Sequence, residues 1–496
     1  MVDSSAEDFS RMGAYAFIEG KFVSALSGKV FDVRDPATDS LVGRAADCGI
    51  DDAKRALEAG ARAGALWAKV TADERSAMLR RIGEKMEAAA GTLADLMVAE
   101  QGKPRTEALA EINSGIGNIF WAAEEARRIY GETVPAPAGK RIIVIRQPVG
   151  LAAAVTPWNF PFGMIARKLA PALACGCAMI IKPAEQTPLS ALFVAKLVRD
   201  AGLPAGLVAV LPTLSPAPLV DTLLADPRLR KLSFTGSVAV GKTLWAKCAN
   251  QLQRVSLELG GQAPALVLDD ADIDLAVAQI VRAKFRNAGQ TCISINRVFA
   301  HAKVHDQLVA GLKRAIAELK VGPGTDESAQ IGPLINDAAL RRIELHCENA
   351  RALGATLHCG GQRVRKEGWS ERFFAPTLLS GVSLDAKVLC EETFGPILPV
   401  AKVKSNREAV ELANGLEIGL AAYVFGSDYR KLTQVAETLE FGIVAINDGA
   451  PTAVQAPFGG WKSSGVGREN GHWSMDEYLE TKYIALGDLQ DDALLG

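Results

Sequence analysis

The chain has 496 residues, 49% hydrophobic and 23% charged, with Lys+Arg 55 against Asp+Glu 57. That composition excludes disorder, collagen and coiled coil as the main architecture and suits two to four lobes at about 100–200 residues each. A net charge of -2 makes no electrostatic case for nucleic acid as a ligand. No apolar run reaches the ~20 residues needed to span a bilayer, so no membrane association is expected. The N-terminal MVDSSAEDFSRMG is acidic and has no apolar stretch. It reads as neither a signal nor a transit peptide, which points to a cytoplasmic location. The 8 cysteines are too sparse for a disulfide scaffold. Cys175 and Cys177 have no matching Cys/His pair, and the 5 histidines form no zinc spacing, so no metal site is expected.

In chain order, residues 52–66 and 72–101 read as helices. Thr71 and Glu74 form a capping box, and Met78, Ile82 and Met86 recur every fourth residue. Residues 131–148 read as two strands around a Pro/Gly turn. Short apolar runs follow at 151–155, 178–181, 207–211, 231–234 and 264–268, with helix-like segments in most gaps. Strands alternating with helices predict a parallel sheet covered on both faces, with ligands at the carboxyl ends of its strands. A second alternation runs from about 272 to 446: NRVFAHAKV, a helix near 305–319, AAYVFG, a helix near 428–439, and GIVAIN. The tail 478–487 reads as an exposed strand, the kind another chain often covers.

Two motifs carry chemistry and point in different directions. Residues 236–243, GSVAVGKT, satisfy the P-loop pattern, and ALVLDD at 265–270 resembles the strand and Asp that hold magnesium. A P-loop nucleotide hydrolase would use Lys242 on phosphates and Thr243 on the metal. The same glycine turn opening a helix would equally receive the pyrophosphate of a dinucleotide. The other motif is FRNAGQTC, ending at Cys292. With it go SLELGGQAP (Glu258), AVTPWNFPFG (Asn159), EETFGP at 391–396 and PFGGWKSSGVGRE at 457–469.

Together these five motifs resemble the NAD(P)-dependent aldehyde dehydrogenase superfamily, in order and spacing, from about residue 15 to 487. KFRNAGQTC, MIARKLAPALACGC and DEYLETKY are most similar to its succinate-semialdehyde dehydrogenase branch. The resemblance implies an α/β fold of two Rossmann-like parallel-sheet lobes plus a small β oligomerisation element. Residues 1–126 and 149–260 would form the NAD-binding domain, and 261–463 the catalytic domain. Residues 127–148 and 464–496 would form the oligomerisation element of a homodimer or homotetramer.

The resemblance also implies the chemistry. Cys292 is the nucleophile, and a thiol titrating near pH ~8.5 needs activation by its surroundings or a base. The Asn159 amide and the Cys292 N–H face the developing oxyanion. Glu258 is the general base that frees the thioester, provided burial raises its pKa toward neutrality. Trp158 and Ser237 sit at the pyrophosphate, on the Gly236–Gly241 turn. Lys182 and Glu185 face the adenine ribose, where a carboxylate favours NAD over NADP. Glu392 and Phe394 hold the nicotinamide ribose and ring. Arg167 and Arg286 face a substrate carboxylate, with Thr452 and Phe458 also at the substrate. The loop NDGAPTAVQAPFGG departs from the branch at Pro451, which removes a backbone donor. Succinate semialdehyde is therefore read alongside sulfolactaldehyde, glutarate semialdehyde and oxoglutarate semialdehyde. Ser294 stands where some relatives carry a second cysteine, so no local redox disulfide is expected.

Overall fold

The structure is a computed structural model that describes residues 14–488. The N-terminal segment read above as no signal peptide, and the last residues of the tail, lie outside the described residues. Two large sheets organise the chain. The first has eight strands: β1 (Ala16–Ile18), β2 (Lys21–Val23), β3 (Leu151–Val155), β4 (Ala178–Lys182), β5 (Val208–Val210), β6 (Leu229–Thr235) and β7 (Arg254–Glu258), closed by a late strand named below. Its order from one edge is β2, β1, β5, β4, β3, β6, β7. The stretch from β5 to β7 is parallel. The chain winds outward from β3 in one direction and then returns to add β6 and β7 on the other side. The switch point of the sheet is therefore the gap between β3 and β6, where open α/β sheets take their ligands.

The second sheet has seven strands: β8 (Ala263–Val267), β9 (Ile295–His301), β10 (Thr356–Cys359), β11 (Thr377–Ser380), β12 (Ile397–Val403), β13 (Ala421–Phe425) and β14 (Ile443–Ile446), in the order β10, β11, β12, β9, β8, β13, β14. All pairings but β10 with β11 are parallel. The apolar run 264–268 thus starts the second sheet and is not the last strand of the first. Every residue of β4, β8 and β13 is buried, as expected for strands covered on both faces.

β15 (Gly465–Val466) then returns to the first sheet and pairs antiparallel with β7. Part of the stretch assigned above to the oligomerisation element is therefore an edge strand of the first lobe. A third, small antiparallel sheet pairs Leu479–Leu486 with Arg141–Pro148, and that strand with Glu132–Val134. Its outer strand is open to solvent, with Tyr483 62% exposed.

The helix read over 72–101 is two helices, Ala72–Ala88 and Ala90–Gln101, parted at Ala89. The capping box of Thr71 with Glu74 is present. The long helix Arg105–Ala126 had no counterpart in the sequence reading. Its buried face carries an apolar stripe of Ala108, Ile112, Ile116, Ile119 and Ala123, interrupted by buried Glu111, Asn118 and Glu125. Cys175 and Cys177 are buried, with Met475 and Tyr478 carbonyls as partners. Among the described residues there is no cluster of metal-binding side chains, and no helix is long and apolar enough to cross a membrane.

Candidate active site

The switch point places the first predicted residues together. β3 runs out into Trp158 and Asn159, and β6 into Gly236 and Ser237. Ser237 caps the helix Val238–Cys248, its hydroxyl accepting from Val240 N at 3.4 Å. This geometry corrects the P-loop reading. The helix begins two residues after Gly236, which leaves too little loop to wrap a phosphate chain. Lys242 and Thr243 are exposed on that helix, and the Thr243 hydroxyl donates to Ala239 O at 3.1 Å. Asp269 and Asp270 follow β8 in the other sheet, where Asn406 and Lys431 hold them. The glycines have packing reasons instead: a Cβ at Gly236 would meet the Phe234 ring at 2.5 Å, and one at Gly241 would meet Leu259 at 2.5 Å.

Glu258 ends β7, while Cys292 lies just before β9. The carboxyl ends of the first sheet thus meet the amino end of a strand in the second, and a cavity of about 180 Å³ opens there. Trp158, Asn159, Gly236, Ser237, Glu258, Cys292, Glu392 and Phe394 all line it. Two glycines permit this approach. A Cβ on Gly261 would lie 2.6 Å from Cys292 O, and one on Gly260 would lie 2.7 Å from Glu392 Oε2.

The backbone leading to Cys292 is held in an unfavourable shape. Asn287, Ala288 and Gly289 have φ of 51, 54 and 75, all left-handed. Such positions cost on the order of 1 kcal/mol or more for a non-glycine residue and persist only where the surroundings impose them. The surroundings are dense here. Asn287 N donates to Glu107 Oε2 at 2.7 Å, and Asn287 Nδ2 to Asn159 O at 3.0 Å. Gln101 Nε2 donates to Asn287 Oδ1 at 3.1 Å. The Asn159 side chain donates to Gln290 O at 3.0 Å, and Ile335 N to Gln290 Oε1 at 3.0 Å.

Burial pushes the Cys292 thiol up to about 12. Glu392 and Glu258 add to this, while Arg167 and Arg286 oppose it. Both Glu258 carboxylate oxygens are buried without a hydrogen-bond partner. Burial, and then the nearby Glu469, holds this carboxyl well above the usual carboxylate range. Glu469 is itself ion-paired with Lys168, which also donates to Thr235 Oγ1 at 2.7 Å. The sequence reading missed Lys168 and Glu469. Both are buried charges inside motifs quoted above, and nothing in the local sequence marks either as interior.

Glu392 accepts from Gly261 N at 3.2 Å, and burial raises its carboxyl to about 7. Phe394 has φ 55 and meets Trp158 edge-on at 5.6 Å. The helix Asp337–Ala352 grips this segment: Arg342 Nε donates to Thr393 O at 3.2 Å, and His346 Nδ1 lies 3.1 Å from Thr393 Oγ1. Arg342 also lines the cavity and was missed in the sequence. Lys182 and Glu185 stand apart from this cavity, at the end of β4, with Lys182 Nζ 3.5 Å from Glu185 Oε2.

A second cavity, about 290 Å³, adjoins the first. Met164 lines both. Arg167, Arg286 and Thr452 line the second one, with Glu107, Phe160 and Arg282, which the sequence reading did not single out. The Arg286 guanidinium lies 5.3 Å from the Phe160 ring centroid. Phe458 is buried outside the lining, 4.5 Å beneath the Arg167 guanidinium. Ser294 is buried and donates to Lys284 O at 3.1 Å.

A thiol, a buried carboxyl and a dinucleotide-type switch point meet on one cavity, an arrangement suited to a dehydrogenase. Residues 22–484 match the aldehyde dehydrogenase family, and the chain belongs to it. It is 45% identical to 3-sulfolactaldehyde dehydrogenase of Pseudomonas putida, over 97% of this chain and 98% of that one. It is also 45% identical to the NADP(+) succinate-semialdehyde dehydrogenase GabD of Escherichia coli K12, over 95% and 97%. The crystal structure of succinate-semialdehyde dehydrogenase from Burkholderia pseudomallei superposes with a TM-score of 0.94 at 46% identity, covering 96% of this chain and 98% of that one.

Proposed function

We propose that this aldehyde dehydrogenase oxidises a small anionic aldehyde, succinate semialdehyde or one of similar size, to the acid with NAD. The observation that carries the reading is the second cavity. It shares Met164 with the cavity of Cys292, arginines line it, and Arg167 Nη1 is buried with no hydrogen-bond partner. A buried unpaired guanidinium donor is costly, and a bound anion would satisfy it.

In this reading Glu258 takes the thiol proton and the Cys292 thiolate adds to the aldehyde carbon. The oxyanion so formed accepts from the Asn159 amide and the Cys292 N–H. A bound nicotinamide supplies the hydride acceptor. Hydride loss leaves a thioester on Cys292, and Glu258 removes a proton from the water that hydrolyses it. Trp158, Ser237 and the Gly236–Gly241 turn would flank the pyrophosphate, and Glu392 and Phe394 the nicotinamide ribose and ring. Lys182 and Glu185 would face the adenine ribose. Support for NAD over NADP comes from Glu185, whose carboxylate would repel a 2′-phosphate. The open strand Leu479–Leu486 supports a homodimer or homotetramer.

A second reading takes sulfolactaldehyde as substrate. Pro451 lies between Ala450 and Thr452, both lining the anion cavity, and has no N–H to offer. Anion binding then rests mainly on guanidinium groups, which suit a three-oxygen sulfonate. Glutarate and oxoglutarate semialdehydes are the longer alternatives. NADH formation across succinate semialdehyde, sulfolactaldehyde, glutarate semialdehyde and neutral propanal, each with NAD and NADP, tests the proposal. Preference for one anionic aldehyde supports it; equal turnover of propanal overturns it.

A further inference from the structure

One carboxylate in the anion cavity has no place in the chemistry above. Glu107 sits in the first turn of the helix Arg105–Ala126 and lines the same cavity as Arg167, Arg282 and Arg286. A negative charge there opposes an anionic substrate. It makes no cap bond to its own helix; instead its Oε2 accepts from Asn287 N at 2.7 Å. Asn287 opens the left-handed run that leads to Cys292. The other carboxylate of this cavity, Glu111, is differently employed: Lys103 pairs with it at 2.5 Å, and it accepts from Phe162 N and Gly163 N at 3.0 and 2.9 Å. Glu111 is thus neutralised by its partners, while Glu107 has one backbone donor and a view of the cavity.

We propose that Glu107 sets the strength of anion preference, by returning a negative charge to the arginine-lined cavity while the same carboxyl holds the nucleophile loop. The inference rests on the reading of this cavity as the anion site. The charged groups acting on Glu107 are Lys103, which precedes its helix, and Arg286, which lines the same cavity, both favouring its charge. Glu111, on its own helix, opposes it. Burial outweighs them and raises the carboxyl to about 7. Glu107 therefore gains its negative charge as pH rises through neutrality. Anion binding weakens over that interval, whereas a neutral aldehyde is indifferent to it.

The test is the ratio of kcat/KM for the preferred anionic aldehyde to that for propanal, measured from about pH 6 to about pH 8.5. Taking the ratio cancels the titrations of Cys292 and Glu258, which both substrates share. In the wild type the ratio should fall by about fivefold or more across the interval, the effect of one charge several ångströms away. Glu107→Gln keeps an oxygen to accept from Asn287 N but has no charge. Its ratio should be flat with pH and equal the acid-side value of the wild type. Glu107→Ala should lower kcat for both substrates alike, because the loop loses its anchor. A wild-type ratio that is high and independent of pH overturns the role of Glu107 and leaves the anion cavity standing. A ratio near one at every pH overturns the anion cavity itself.

Discussion

The Arg167 guanidinium lies 4.5 Å over the Phe458 ring while its buried Nη1 has no hydrogen-bond partner. The ring holds the cation from below at a cost in hydration that a desolvated cation–π contact of about 2 kcal/mol partly offsets. The remaining donor is then available to an anion in the cavity. Arg167→Gln should lower kcat/KM for the preferred anionic aldehyde by about 10–100-fold, the worth of one or two charge-assisted hydrogen bonds. Turnover of propanal should change little. Parallel loss on both substrates would assign Arg167 to folding.

The Cys292 thiol is held at about 12. Far below its pKa, the thiolate fraction rises about tenfold per pH unit. Iodoacetamide should therefore inactivate the cofactor-free enzyme slowly at neutral pH and about tenfold faster per unit between about pH 7 and 9. A rate that levels off before about pH 8 would mean that the thiol is already activated in the free enzyme.

Glu258 must lose a proton before it can act as a base, and burial with Glu469 nearby raises its pKa. The acid limb of the kcat profile should lie above the ordinary carboxylate range, activity falling as pH drops through it. Glu258→Gln should remove that limb and cost about 10²–10⁴ in kcat. Gly459→Ala should mimic it from a distance. A Cβ there would lie 2.8 Å from Glu258 Oε1, and also 2.8 Å from Gly467 O and Arg468 Cδ. The backbone contact leaves the new methyl little room, so the carboxyl must move. An unchanged kcat in Gly459→Ala would show that the position of Glu258 is not tightly required.

Glu185 stands at the end of β4, where Lys182 and Gln186 hold its carboxylate. Like charges brought together cost several kcal/mol. Glu185→Ser should raise the NADP-to-NAD ratio of kcat/KM by about 10–100-fold. The ratio staying put would move cofactor choice to other residues.

The architecture was legible where burial on both faces left short apolar runs, as at β3, β4 and β8. It was passed over where charge is buried beside the apolar stripe: Arg105–Ala126 keeps Ala108, Ile112, Ile116 and Ile119 at helical spacing but turns Glu111, Asn118 and Glu125 inward among them. The site shows the same division. Cys292, Glu258, Asn159, Glu392 and Phe394 lie in motifs that stand out along the chain, and the structure brings them around one cavity. Arg342 and His346 lie far from those motifs, and Lys168 and Glu469 lie within quoted motifs but pair across 301 positions of the chain, so the meaning of each comes only from what the fold sets beside it. The GSVAVGKT match failed for a related reason: the pattern specifies residues, whereas phosphate wrapping depends on where the helix starts.

The three left-handed residues before Cys292 bear on how the enzyme is assembled. Asn287 is anchored by Gln101 and Glu107 early in the chain and by Asn159 in the middle, and Gln290 just after the run by Ile335. Bonds between Gln290 and Asn287 hold part of that shape locally, whereas those from Gln101, Glu107 and Asn159 form only once both lobes have docked. A half-folded chain therefore lacks part of what fixes the loop before Cys292, and that loop gains its full set of bonds only when the chain has closed around it.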